Sequence, residues 1–150
     1  MVKIDLNKRV NNFKDPIYWV TNNETLETNE GDNLKILSNL NEKQMIDFML
    51  KSKVILIPSS VLSFEAISLR KPIYSCFFVN NQKLIYESLV KMKLSEGYGY
   101  IETKEDVALA TKSFLSYYID NIKHKKQIKN QELTIDGCSS ERIKNVLLLN

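Results

Sequence analysis

Residues 54–69, Val-Ile-Leu-Ile-Pro-Ser-Ser-Val-Leu-Ser-Phe-Glu-Ala-Ile-Ser-Leu, constrain the fold more than any other part of the chain. The apolar run 54–57 has the composition of a strand, and Pro58, which has no N–H to give to a ladder, stops it. Ser59 and Ser60 are short hydroxyl residues of the kind that cap a helix start. The segment that follows, to about 70, reads as an amphipathic helix with one acid, Glu65, in its first two turns. A strand that feeds straight into a helix is the building unit of a parallel sheet. At such a turn the free N–H groups of the helix start suit a phosphate, and a nearby acid suits sugar hydroxyls.

The rest of the chain alternates in the same way. Ile17–Val20 and Leu34–Leu37 read as short strands, separated by the Thr21-Asn22-Asn23 turn signal and a polar, acidic loop over 23–33. Asn41 suits the cap of a helix over 42–51, with Met45, Phe48 and Met49 on one face. The strand at 54–57 is apolar on both faces, as a central parallel strand would be. Pro72 then leads to a strand at 73–79, a helix at about 82–95 ending near Gly97, and a strand at 98–101. Thr103 caps a helix over 104–119 whose buried stripe is Val107, Ala110, Phe114 and Tyr117. A last helix at about 139–149 offers Ile143, Val146 and Leu147 for docking. At the start, Val2, Ile4 and Leu6 alternate as a strand does, and a helix fits equally. Together these segments predict an α/β fold, a Rossmann-like parallel sheet with helices on both faces, in a single domain over 1–150. Right-handed crossovers would place all strand C-terminal ends on one edge.

Composition narrows the function. With 43% apolar and 26% charged residues, 150 residues suffice for a core without staples. A net charge of +3 does not point to nucleic acid. The tract Lys123-His124-Lys125-Lys126-Gln127-Ile128-Lys129 reads as a solvated helix end or loop, with an anionic-partner patch as the alternative. Cys76 and Cys138 lie far apart without a metal pattern and read as reduced thiols. No apolar run reaches the ~18 residues of a membrane span, and no signal peptide is visible, so a cytoplasmic protein is expected. His124, the only histidine, falls in a lysine-rich segment that reads as exposed and makes a poor general base. No nucleophile elbow, metal pair or glycine-rich phosphate signature is present, so no catalytic residue, metal or cofactor is assigned.

Binding is better supported than catalysis. Three strand ends, Thr21-Asn22-Asn23, Pro58-Ser59-Ser60 and Asn80-Asn81-Gln82, carry short polar side chains and backbone donors of the kind a phosphate-and-sugar pocket needs. The plainer readings are helix capping by Ser59 and Ser60, worth about 1 kcal/mol, a solvated helix acid at Glu65, and a bare helix start at Asn81 and Gln82.

The run Ile-Pro-Ser-Ser-Val-Leu-Ser-Phe-Glu-Ala (57–66), with Pro72 and Val-Asn-Asn-Gln-Lys (79–83), resembles the C-terminal half of the UDP-sugar hydrolase of pseudaminic acid biosynthesis. That family is related to the lipid II-forming N-acetylglucosaminyltransferase and shares its GT-B fold. Leu34–Leu37 with Met45 and Phe48, Gly97-Tyr98-Gly99, and Ile135-Asp136-Gly137 with Glu141-Arg142-Ile143 extend the likeness over about 17–149. The resemblance implies a half-domain that binds UDP or a UDP-sugar. In it Ser59, Ser60 and Val61 would meet the diphosphate, Glu65 the ribose, and Asn81 and Gln82 the sugar or phosphate. Uracil would lie near Ser38, Asn39 and Leu40. The family's catalytic histidine belongs to an N-terminal half that this sequence does not contain. Cleavage by the chain alone is therefore not expected, and a longer protein or a partner chain would supply that half. The turn Pro58-Ser59-Ser60 lacks the glycines of many relatives, and no glycine-rich first strand is recognisable before residue 14. Those departures favour the alternative, a non-catalytic interaction or remnant module without a nucleotide ligand.

Overall fold

A computed structural model of the chain describes residues 15–21 and 33–148. The alternation of Val2, Ile4 and Leu6, the Asn22-Asn23 turn and loop residues 23–32 lie outside the described residues. The described elements are β1 (Ile17–Val20), β2 (Leu34–Leu37), α1 (Glu42–Lys51), β3 (Ile55–Pro58), α2 (Val61–Ser68) and β4 (Ile73–Phe77). They continue with α3 (Asn80–Lys91), β5 (Glu96–Tyr100), α4 (Lys104–Tyr118), α5 (Asn121–Thr134) and α6 (Ser139–Leu148). The fold is α/β and Rossmann-like. Every described strand pairing is parallel, within a sheet of order β1-β2 and a sheet of order β3-β4-β5.

The chain divides into two units, Met1–Asp47 and Phe48–Asn150. In the first, β1 and β2 pair from Ile17↔Leu34 to Val20↔Leu37, and Thr21 N–H extends the ladder to Leu37 O at 2.9 Å. The start of α1 is fixed as its sequence predicts. Asn41 Oδ1 accepts from Gln44 N–H and Gln44 Oε1 accepts from Asn41 N–H, both at 2.9 Å.

The second unit is organised by β4, all five residues of which are buried. Strand alternation sends Ile73, Ser75 and Phe77 to one face and Tyr74 and Cys76 to the other. The Phe77 ring packs on Tyr86 of α3 at 5.3 Å, and Tyr74 packs on Phe114 and Tyr117 of α4 at 5.4 and 5.6 Å. Helices therefore cover both faces. Ile67 of α2 and Ile73 are fully buried, and each aliphatic side chain removed from water in this way stabilises the fold by about 1.5–3 kcal/mol.

Gly97 sits where β5 crosses Ser75. A Cβ there would run into the Ser75 carbonyl oxygen and approach Tyr86 Cε2 to 2.7 Å. Tyr98 is the extra residue of a bulge, since Ser75 pairs with Gly97 but Cys76 pairs with Gly99, whose φ is +107°. Thr103 caps α4 as expected, with Thr103 Oγ1 accepting from Asp106 N–H at 3.1 Å.

Four expectations are corrected. Among the described residues the strand at 54–57 pairs on one side only, with β4, and Leu56 is 55% exposed, because α4 packs on β4 and β5 on that face. The strand read at 73–79 ends at Phe77, and α3 begins at Asn80, two residues before the expected start. The lysine tract belongs to a full helix, α5, and His124 within it is buried, not exposed. In α6, Ile143, Val146 and Leu147 are each more than 60% exposed among the described residues, so the apolar face expected to dock does not.

Candidate functional site

Parallel pairing brings the C-terminal ends of β3, β4 and β5 to one edge of the sheet. The turn after β3 is held to β4 by its backbone: Ser59 N–H donates to Cys76 O at 2.8 Å. That bond turns the Ser59 side chain inward. Its hydroxyl is fully buried and has no hydrogen-bond partner among the described residues. A buried hydroxyl left unpaired typically forfeits about 1–3 kcal/mol, so such groups are uncommon without a reason.

Ser60 is the N-cap of α2, in extended backbone. Its N–H donates to Ser63 Oγ at 3.2 Å, and Ser63 N–H reaches Ser60 O at 3.0 Å. Ser63 Oγ in turn donates toward Pro58 O at 3.4 Å, so Ser63 braces the turn from below. Sequence reasoning missed this residue, because a serine on an amphipathic helix reads as solvent-facing. The first N–H groups of any helix have no intrahelical partner, which leaves the amides of Val61 and Leu62 at the open end. Val61 is 71% exposed. Glu65, one turn on from Val61, lies on the same side of the helix and is exposed, opposite the buried Ser63, Ala66 and Ile67.

The neighbouring strand end carries Asn81 and Gln82 on the first turn of α3. Asn81 is exposed, while Gln82 Oε1 accepts from Phe78 N–H at 3.1 Å and so serves the helix start. Phe78 and Val79 between them are about half exposed at 48% and 51%, an apolar rim to the edge that the sequence reading had placed inside a strand. Ser59, Ser60, Val61, Glu65, Asn81 and Gln82 thus share one sheet edge. Ser38, Asn39 and Leu40 follow β2 in the other unit, with Asn39 at φ +55° and both Ser38 and Asn39 exposed.

No family model matches this chain, and no curated protein or solved structure matches it either.

Other chemical groups are engaged elsewhere. His124 Nε2 lies 2.9 Å from Tyr117 O, which only accepts, so this nitrogen carries a proton and donates it. Burial, with a smaller contribution from the Lys53 charge, holds its pKa below the usual histidine value despite that bond. Burial pushes the Cys76 thiol up to about 11, which leaves it protonated and unreactive. Asp106, which accepts from the backbone and hydroxyl of Thr103, is held below the ordinary carboxylate value. Among the described residues no group of three or more His, Cys, Asp or Glu side chains is placed to hold a metal. No helix among them is long and apolar enough to cross a membrane.

Proposed function

We propose that the chain binds UDP or a UDP-sugar at the C-terminal edge of β3 and β4, as the nucleotide half of a GT-B protein. Its parent activity would be UDP-sugar hydrolysis or glycosyl transfer in surface polysaccharide synthesis of the nonulosonic acid type. The observation that carries the reading is the open N-terminus of α2 at the C-terminal edge of the sheet, with exposed Val61 and Glu65 on one side of the helix; the enclosed Ser59 hydroxyl lies beneath it, so Ser59 supports the turn and does not touch the ligand. In this reading the amides of Val61 and Leu62 face the diphosphate, where the helix dipole favours negative charge. Glu65 accepts hydrogen bonds from the ribose hydroxyls; its exposure and its position one turn along the same face support that role. Asn81 supplies a neutral donor and acceptor from the next strand end, and Gln82 has its Nε2 to offer while Oε1 holds Phe78.

Calorimetric titration of the chain with UDP tests the proposal. Binding is expected, and Glu65→Ala should weaken it by about tenfold or more, the usual effect of losing a charge-assisted hydrogen-bond partner. No heat with the wild-type chain, or an unchanged affinity in Glu65→Ala, rejects it.

A further inference from the structure

The helix that closes the other end of the sheet is built inside out. α5 turns His124, Gln127 and Gln131 inward and leaves Ile122 and Leu133 68% and 77% exposed. Successive residues advance about 100° around a helix, so Lys126 and Lys129 share the outward face with Ile122 and Leu133, and Lys125 flanks them. All three lysines are exposed, and none forms an ion pair among the described residues. Two further exposed lysines stand at the strand entries. Asn130 Nδ2 donates to Lys93 O at 3.3 Å, which sets exposed Lys93 beside α5, and Lys53, before β3, stands over the Tyr118 ring at 4.2 Å.

Nothing in the fold accounts for this charge. Lys123 lies in the first turn of α5, at the positive end of its dipole, where a cation is disfavoured. Lys125 and Lys129 are four residues apart and Lys126 and Lys129 three apart, spacings at which like charges repel. Ile122 and Leu133 add no buried area. Exposed Glu132, three residues from Lys129, and the Asp120 cap offset part of this, but the lysines remain in excess, and an anionic surface laid against them would relieve their repulsion.

We propose that this face of α5 docks peripherally on an anionic phospholipid bilayer. Ile122 and Leu133 enter the headgroup boundary, and Lys125, Lys126 and Lys129 meet the lipid phosphates and carboxylates. Lipid is favoured over nucleic acid by the residue types. α5 has no Phe, Tyr or Trp to stack on a base and no arginine fork to read a base edge, whereas aliphatics among lysines suit a bilayer interface. The geometry also fits a second function for the domain. Gln127 and Gln131 fix α5 across the N-terminal ends of β4 and β5, so docking leaves the opposite edge open.

Co-sedimentation of the whole chain with phosphatidylcholine vesicles, with and without phosphatidylserine, decides the matter. Binding is expected only to the phosphatidylserine vesicles and should fall as salt is raised. The triple change Lys125→Glu, Lys126→Glu and Lys129→Glu should lower the vesicle affinity about tenfold or more. Ile122→Ser with Leu133→Ser should lower it several-fold with the charges intact, and as exposed sites both should leave the far-ultraviolet dichroism unchanged. Equal partitioning to neutral vesicles, unaltered affinity in the folded serine variant, or tighter binding to a single-stranded RNA oligomer than to phosphatidylserine vesicles would each overturn the proposal.

Discussion

The two ends of the β3-β4-β5 sheet handle buried polar groups in opposite ways. At the N-terminal end, Gln127 stands in for a missing strand. Its Oε1 accepts from Ile73 N–H at 2.7 Å and its Nε2 donates to Ile73 O at 3.0 Å, while Tyr117 O–H also donates to Oε1 at 2.7 Å. Gln131 Nε2 donates to Lys71 O and Leu94 O at 2.9 and 3.0 Å, though its Oε1 has no partner among the described residues. At the C-terminal end, Ser59 is as deeply buried as Gln131, yet its only polar side-chain atom has no partner among the described residues, beneath helix amides that face outward. The first arrangement spends polar side chains on completing the backbone of the sheet. The second leaves the outward-facing amides at the start of α2 uncommitted, as a surface that meets a ligand requires, above an enclosed Ser59 hydroxyl. Buried polar side chains thus complete the sheet backbone at one end and not at the other, though each end keeps one buried oxygen without a partner among the described residues.

The contrast is most easily broken at Gln127. Gln127→Ala strands the Ile73 N–H and the Tyr117 hydroxyl in the interior. A loss of about 3 kcal/mol or more is expected from two unsatisfied groups, read from the urea midpoint of unfolding. A loss well below 1 kcal/mol would show that the glutamine is not holding the strand end.

A second measurement follows from His124, on the same helix. Its folded pKa is lowered by burial, so the fold prefers the neutral ring. Stability is then complete above the unfolded pKa of about 6.5 and falls as the pH drops through that value toward the folded one. Because the chain has one histidine, urea midpoints between about pH 7.5 and 5 isolate the effect. His124→Gln retains a donor for Tyr117 O and is expected to flatten the dependence. A midpoint that rises on acidification would contradict the assignment.

Ser59 should respond in the opposite sense to Gln127. Removing an unpaired buried hydroxyl relieves a desolvation penalty, so Ser59→Ala is expected to be neutral or stabilising by up to about 1 kcal/mol without ligand. A clear destabilisation in thermal melts would mean that the hydroxyl has a structural partner. The smallest effect belongs to Glu65→Ala. No shift in the unfolding midpoint is expected from this exposed side chain, in contrast to its expected effect on UDP titration. A marked loss of stability would assign Glu65 to the fold and remove it from the candidate site.

Much of the sheet's C-terminal edge was legible in the residues. Pro58 marks the end of β3, Ser60 caps α2 and Thr103 caps α4, because capping is a local matter of backbone donors and short side chains. Helix α5 was not legible. Pattern reading finds a helix by its apolar stripe, and α5 buries His124, Gln127 and Gln131 while exposing Ile122 and Leu133. Its partners, Ile73, Lys71 and Leu94, lie 37 to 60 residues away. Likewise β3 carries the apolar run of a central strand, but among the described residues it pairs only with β4, and which strands pair is decided by tertiary structure.

The sequence by itself determined the alternation of strand and helix, the parallel pairing and the caps, since these follow from propensity, period and the chemistry of short side chains. The tertiary structure alone decided which polar residues are buried and which of those are satisfied. Satisfaction is a property of pairs of groups brought together by the fold, and no single residue type or spacing encodes it.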